Sequence, residues 1–170
     1  MTTPLTRPEL IRAVANAMNL STAAGLLLAG LTRTQVEKGP HGLLFGTNYQ
    51  PKLPIASAFT VGNVIFYRTD RAHIDARPDL LAHESGHSTQ YAWCLGLPFF
   101  PLYAACAAYS LWRTGDPGSR NYFERNAGLA LGGYRELPTI ARLPVLKKQL
   151  RNQLRRLALI RSPASTRLQH

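Results

Sequence analysis

Apolar positions along the chain fall into runs of different kinds. AVANAMNLSTAAGLLLAGL, residues 13–31, is apolar almost throughout, with Asn16, Asn19, Ser21 and Thr22 as interruptions. Pro8 and Glu9 suit a helix start, so the pattern predicts one buried helix running to about Leu31. Residues 38–57 are rich in glycine and proline and read as a long loop with at most short extended pieces. AFTVGNVIFY, residues 58–67, is different: two β-branched and aromatic runs flank Gly62-Asn63. That predicts a tight hairpin, or one strand with a glycine break.

Pro78 fits a first helical turn, where its missing N–H costs nothing, and Asp79 sits favourably at the positive end of the dipole. A helix from about Pro78 to Trp93 follows, ended by Gly96 and Pro98. Residues 92–112, AWCLGLPFFPLYAACAAYSLW, hold no charge and are long enough to cross a bilayer. Gly96, Pro98 and Pro101 break the first half, and the favoured reading is a core helix over the second, with membrane contact as the other. RTGDPGSR, 113–120, is a loop. A further helix is expected over Asn121 to Leu131, stopped by Gly132-Gly133. After a proline-bearing linker at 138–144, RLPVLKKQLRNQLRRLALIR places Leu146, Leu150, Leu154 and Leu157 on one stripe and most of its cations off it.

Composition changes this picture in two ways. The 170 residues suit one domain with a hydrophobic core, but charged residues make up only 17%, low enough to suggest a surface covered by a partner or by lipid. The formal charge is +11, and residues 139–170 carry eight basic and no acidic side chains. The excess is therefore mostly a property of the tail, which attracts anionic surfaces. Nucleic acid is disfavoured: no recognised module is present and the tail arginines lack interleaved aromatics. Cys94 and Cys106 lack C-x-x-C spacing and read as buried free thiols. The N-terminus reads as a buried helix rather than a signal peptide; a cytoplasmic protein, peripheral to the membrane if the tail engages lipid, is expected, with export left open.

The chemistry concentrates in HESGH, residues 83–87. On a helix, residues four apart share a face, so His83 and His87 can aim imidazole nitrogens at one point. Glu84, rotated round the helix, is placed to reach a metal-bound water rather than the metal. A catalytic zinc site needs a third protein ligand. His41 lies in the long loop, His73 before the helix, Asp116 in a turn and Glu136 beyond the double glycine. Glu124, in NYFERNAG, is the best placed: Tyr122, Phe123, Ala127 and Gly128 surround it, and the small residues let two helices approach. The alternative is a surface glutamate paired with Arg120 or Arg125.

H-E-S-G-H followed by a helix carrying Glu124 resembles the zincin metallopeptidases whose third ligand is glutamate, the gluzincin or thermolysin-like group. FTVGNVIFY before HESGHSTQYAW also resembles small bacterial zincin-like domains of uncertain activity. The likeness covers about residues 55–136. It implies that His83, His87 and Glu124 hold Zn(2+), that Glu84 is general base and then acid, and that the strand around Val64 to Tyr67 is an edge strand pairing with an extended peptide. Position 90 is glutamine and 93 tryptophan, which argues against the three-histidine branch. The family's extra oxyanion donor has no motif match; Tyr134 is a candidate by location and chemistry, and a packing tyrosine otherwise. Asn121 and Gln90 are candidates to orient the ligands.

The expectation is an α+β fold: a compact, mainly helical zincin-like domain over 1–138, with a small hairpin or sheet before the metal-bearing helix, and a basic amphipathic helix and tail over 139–170. The expected function is a zinc-dependent metallopeptidase acting on a peptide or protein substrate. The alternative is a weak or inactive zincin-like module that binds protein or an anionic membrane surface through its C-terminal helix.

Overall fold

The computed structural model describes residues 4–140 together with Arg151, and the chain divides into two units, Met1–Leu137 and Pro138–His170. The amphipathic helix expected over 142–161 lies outside the described residues apart from Arg151, which is helical and exposed. The first unit is an α+β fold. Its elements run α1 (Arg7–Met18), α2 (Ser21–Leu31), β1 (Gln35–Lys38), β2 (Leu44–Thr47), β3 (Ala58–Val61), β4 (Val64–Tyr67), α3 (Arg71–Asp75), α4 (Pro78–Trp93), α5 (Phe99–Thr114) and α6 (Tyr122–Asn126).

The four strands form one mixed sheet in the order β1-β2-β4-β3. β3 and β4 are the expected hairpin, antiparallel and joined by Gly62-Asn63, with Val61 opposite Val64 and Phe59 opposite Phe66. β2 pairs parallel with β4, and β1 antiparallel with β2. β2 is one of the short extended pieces allowed within the expected loop, while β1 lies almost wholly before that loop, in a stretch for which the sequence suggests no element. β1 is exposed at all four positions, so it has no alternation of burial, and hence of hydrophobicity, to give it away. β4 is central rather than an edge, which corrects the family-based expectation; the edges are β1 and β3.

Strand period two sends β4 side chains to opposite faces. Val64 and Phe66 meet Ala29 of α2, Tyr49 and Val61, while Ile65 and Tyr67 meet Leu43, Phe45, Ala58, Ile74 of α3 and Leu80 of α4. All four β4 residues are buried. Each such side chain contributes roughly 1.5–3 kcal/mol through apolar area removed from water. The sheet is thus covered on both faces, and the second face fixes where α4 lies.

The single N-terminal helix expected from Pro8 to Leu31 is instead two, bent by 69°. Asn19 ends the first by turning its side-chain Oδ1 to the Ser21 N–H (3.0 Å) and Ser21 hydroxyl (2.7 Å). Leu20 then takes φ 64°. α4 follows the expected bounds, Pro78 to Trp93. α5 is a helix but not a core one: of its residues Phe99, Ser110 and Thr114 are buried, and Leu102, Tyr109, Leu111 and Trp112 are exposed. Cys94 and Cys106 are free and half-buried rather than buried. α6 is shorter than expected because Gly128, at φ 93°, turns the chain four residues before the double glycine.

A buried polar knot ties α1, the hairpin turn and α4 together. Asn16 Nδ2 donates to Asn63 Oδ1 and to the Ser88 carbonyl, both at 2.8 Å. Ser88 donates to Asn63 Oδ1 at 2.9 Å, and Asn63 Nδ2 reaches the Ala13 carbonyl at 3.1 Å. The turn seats itself against the start of α2: a Cβ on Gly62, at φ 61°, would lie 2.4 Å from the Ser21 carbonyl carbon. Gly62→Ala is expected to lower stability by at least about 2 kcal/mol, read from the urea midpoint, because it combines a left-handed backbone with a clash. Gly115→Ala, at φ 81° but with nothing within 4 Å, should cost about 1 kcal/mol.

Candidate metal centre

α4 presents His83, Glu84 and His87 towards the sheet and α6, all three buried. α6 brings Glu124, also buried, to the same point. The approach is close, as the small residues suggested: a Cβ on Gly86 would lie 3.0 Å from Ala127. His83, His87 and Glu124 form the described group of histidine and carboxylate side chains that could hold a metal ion. The arginines that might have claimed Glu124 go elsewhere: Arg120 and Arg125 both pair with Glu136, at 3.3 and 3.1 Å.

The donor spacing is that of a coordination shell. His83 Nε2 and His87 Nε2 are 3.1 Å apart. Glu124 Oε2 is 3.1 Å from His83 Nε2, and Oε1 is 3.6 Å from His87 Nε2. Tetrahedral bonds of about 2.0–2.1 Å put neighbouring donors about 3.3–3.4 Å apart. The separations of His83 Nε2 from His87 Nε2 and from Glu124 Oε2, both 3.1 Å, lie close to that value.

Hydrogen bonding on the far side of each ring decides what the inner nitrogens can be. His83 Nδ1 lies 3.1 Å from the Gly128 carbonyl, which can only accept, so Nδ1 carries the proton. His87 Nδ1 lies 2.9 Å from Gln90 Oε1. Gln90 is oriented by its amide, which donates to the Phe123 carbonyl (2.9 Å) and Asn126 Oδ1 (3.0 Å). Its oxygen must therefore face His87, and His87 Nδ1 carries the proton as well. Two bare Nε2 lone pairs then point at one another and at a carboxylate. Glu124 Oε1 accepts from the Tyr103 hydroxyl, while Oε2 is buried without a hydrogen-bond partner. Converging lone pairs and an orphaned carboxylate oxygen call for a cation.

Without metal, that cation can be a proton. Burial pulls His87 down, but Glu124 and Glu84 outweigh it and its pKa is raised. Burial likewise opposes ionisation of Glu124, yet His83, His87 and Tyr103 hold its carboxyl down at about 2. Glu84 is raised, chiefly by burial, against the pull of His87 and of the Thr60 hydroxyl. That hydroxyl, from β3, donates to Glu84 Oε2 at 2.7 Å and to the Glu84 carbonyl at 3.1 Å.

Tyr134 lies beside the site, its ring centroid 6.4 Å from that of His83, and burial with Glu124 pushes its hydroxyl up to about 12. The turn between α6 and Tyr134 closes over His83: a Cβ on Gly132 would lie 2.4 Å from the imidazole. Asn121 does not reach a ligand; its Oδ1 caps α6 by accepting from Phe123 N at 3.0 Å. Asp79 is exposed in the first turn of α4. Tyr103 and Thr60 were not legible as site residues. Tyr103 sits in an uncharged run with nothing to mark its hydroxyl. Thr60 did carry a signal: by period two it shares a face with buried Ala58, and an inward hydroxyl needs a partner.

β3, an edge strand whose Ala58, Thr60 and Val61 are buried, adjoins this cluster through Thr60. Arg68 N–H donates to the Ser57 carbonyl, so Ser57, Phe59 and Val61 form the hydrogen-bonded pairs with β4. The N–H and C=O groups of Ala58 and Thr60 therefore point away from the sheet. Comparisons with protein families, with curated proteins and with solved structures find no match for this chain.

Gln90→Leu is expected to leave the fold intact and weaken metal binding about 10- to 100-fold, the usual cost of losing a group that orients a ligand; a competition titration with a chromophoric chelator measures it. Acid should act in a defined direction. A raised His87 pKa means the metal-free protein is stabilised by that proton below the ordinary imidazole value and loses this as pH rises through the raised one. Metal needs the bare nitrogen. At a fixed zinc concentration, about a hundredfold above the Kd at pH 8, the gain in melting temperature should therefore grow from about pH 5 to about pH 8, reaching roughly 5–10 °C.

Proposed function

We propose that the protein is a zinc-dependent hydrolase of the gluzincin type, acting on peptide bonds, with His83, His87 and Glu124 as the metal ligands. The observation that carries this reading is the convergence of two bare imidazole nitrogens and one unpartnered carboxylate oxygen beside a second, separately held carboxylate. Zinc is the metal of choice for two imidazoles and a carboxylate with a position left open. When bound, it would supply a Lewis acid and a water of lowered pKa.

The chain's own residues supply the rest. Glu84 is not a ligand: Thr60 holds its Oε2, and the residue stands next to the ligand pair on the same helix. In that place it accepts a proton from the attacking water and returns it to the leaving amine. Tyr103 fixes Glu124 through Oε1 and leaves Oε2 for the metal. Tyr134 is the candidate donor to the developing oxyanion. β3, the edge strand beside the cluster, replaces β4 as the strand assigned to pair with an extended substrate.

Glu84→Gln tests the division of labour. It is expected to bind zinc with wild-type stoichiometry and to lose at least about 1000-fold in hydrolysis of a casein or quenched-peptide substrate, within the range of losses from removing such a group. His83→Ala and Glu124→Ala should lose the metal itself by elemental analysis. A Glu84→Gln protein that cleaves as fast as wild type would end this mechanism.

A further inference from the structure

We propose that the two neighbouring corners where α1 meets α2 and α4 meets α5 form an apolar wedge that enters the interface of an anionic bilayer. The proposal is independent of the metal centre. The corners touch: Asn19 Nδ2 donates to the Tyr91 carbonyl at 3.4 Å, and a Cβ on Gly96 would lie 2.8 Å from the Asn19 carbonyl oxygen. Around this contact Met18 is 79%, Leu20 64%, Trp93 80% and Leu95 78% exposed. Leu10 and Val14 extend the exposed stripe along α1 at four-residue spacing.

Two of these leucines are held out at a cost. Leu20 and Leu95 take φ 64° and 58°, the left-handed region, where a residue with a Cβ loses about 1–2 kcal/mol and glycine or asparagine fits readily. Each corner carries a leucine there and turns it to solvent. Strain spent on displaying an apolar side chain points to something that receives it.

Charge and composition select the receiver. No acidic residue occurs over 10–36 or 85–115, the segments that build both corners, and these segments carry Arg12, Arg33 and Arg113. A protein-binding patch has a polar, partly charged rim; here the stretches 13–32 and 85–112, which include both helix connections, hold no Asp, Glu, Lys or Arg. Trp93 is the side chain most enriched at a membrane interface. α1 and α2 together are apolar enough for a span but are bent by 69°, and no single described helix is long and apolar enough to cross. A wedge lying in the interface fits that geometry.

The test uses the full chain and vesicles of phosphatidylcholine with and without phosphatidylserine. Wild type is expected to co-sediment with the anionic vesicles, and in a Trp112→Phe background Trp93 emission should shift to the blue. Leu20→Asn and Leu95→Asn relieve backbone strain, so both should keep or raise the melting temperature, yet each should weaken partitioning about tenfold. Three results overturn the proposal. One is no binding by wild type. Another is binding that neither variant changes, which assigns it to the basic tail alone. The third is a wild-type dimer that ignores vesicles and is dissolved by Leu95→Asn, which makes the patch an interface between copies.

Discussion

Two imidazoles and a carboxylate buried on one turn of α4, met by a second buried carboxylate from α6, are the constraint around which the first unit is arranged. Removing such groups from water costs several kcal/mol per ion unless each is paired or neutralised. The unit answers with partners from β3, α4, α5 and the turn after α6. Thr60 on the sheet holds Glu84, the Gly128 carbonyl and Gln90 hold the outer nitrogens of His83 and His87, and Tyr103 on α5 holds one oxygen of Glu124. One oxygen and two nitrogens are left with nothing but each other. A dication there would turn the most costly feature of the interior into its strongest link between α4 and α6.

The framework that holds this cluster is stiff where the cluster needs it. α4 is pressed against the sheet by Leu80 and tied to the hairpin turn by Ser88, Asn63 and Asn16. Beneath the site Tyr91, Phe99 and Phe123 join α4, α5 and α6 in one aromatic cluster, with Tyr91 and Phe99 centroids 4.2 Å apart. Gln90 belongs to both parts. Its oxygen orients His87 and its amide grips the backbone and Asn126 of α6, so ligand orientation and helix register are set by one side chain.

The corners where α1 meets α2 and α4 meets α5 are built differently. There the chain leaves Met18, Leu20, Trp93 and Leu95 in solvent and holds two of them in a backbone conformation that suits glycine better. Such a surface adds nothing to the folding of an isolated monomer. Apolar side chains are exposed on α1, α2 and α5, where the sequence predicts a buried N-terminal helix and a core helix over the second apolar run.

How much of this was legible in the sequence follows from which signals are local. The hairpin at Gly62-Asn63 and the bounds of α4 could be read directly, because turn residues, a first-turn proline and a terminating glycine act on their own neighbours. The His83, Glu84 and His87 face could be read for the same reason: helical period alone puts it together. Glu124 was reached by elimination and by the small residues beside it. What stayed hidden depends on contacts between distant segments. The break at Asn19 needs a side chain that prefers capping α2 to continuing α1, and the early end of α6 needs Gly128 rather than the more conspicuous Gly132-Gly133. β2 exists because β4 offers it a partner and β1 because β2 does, and the pairing of β2 with β4 leaves β3 at the edge. Sequence alone determined which groups can bind a metal; the tertiary structure decided that their lone pairs meet, because only packing chooses which nitrogen of each ring is bare and which carboxylate oxygen is left without a partner.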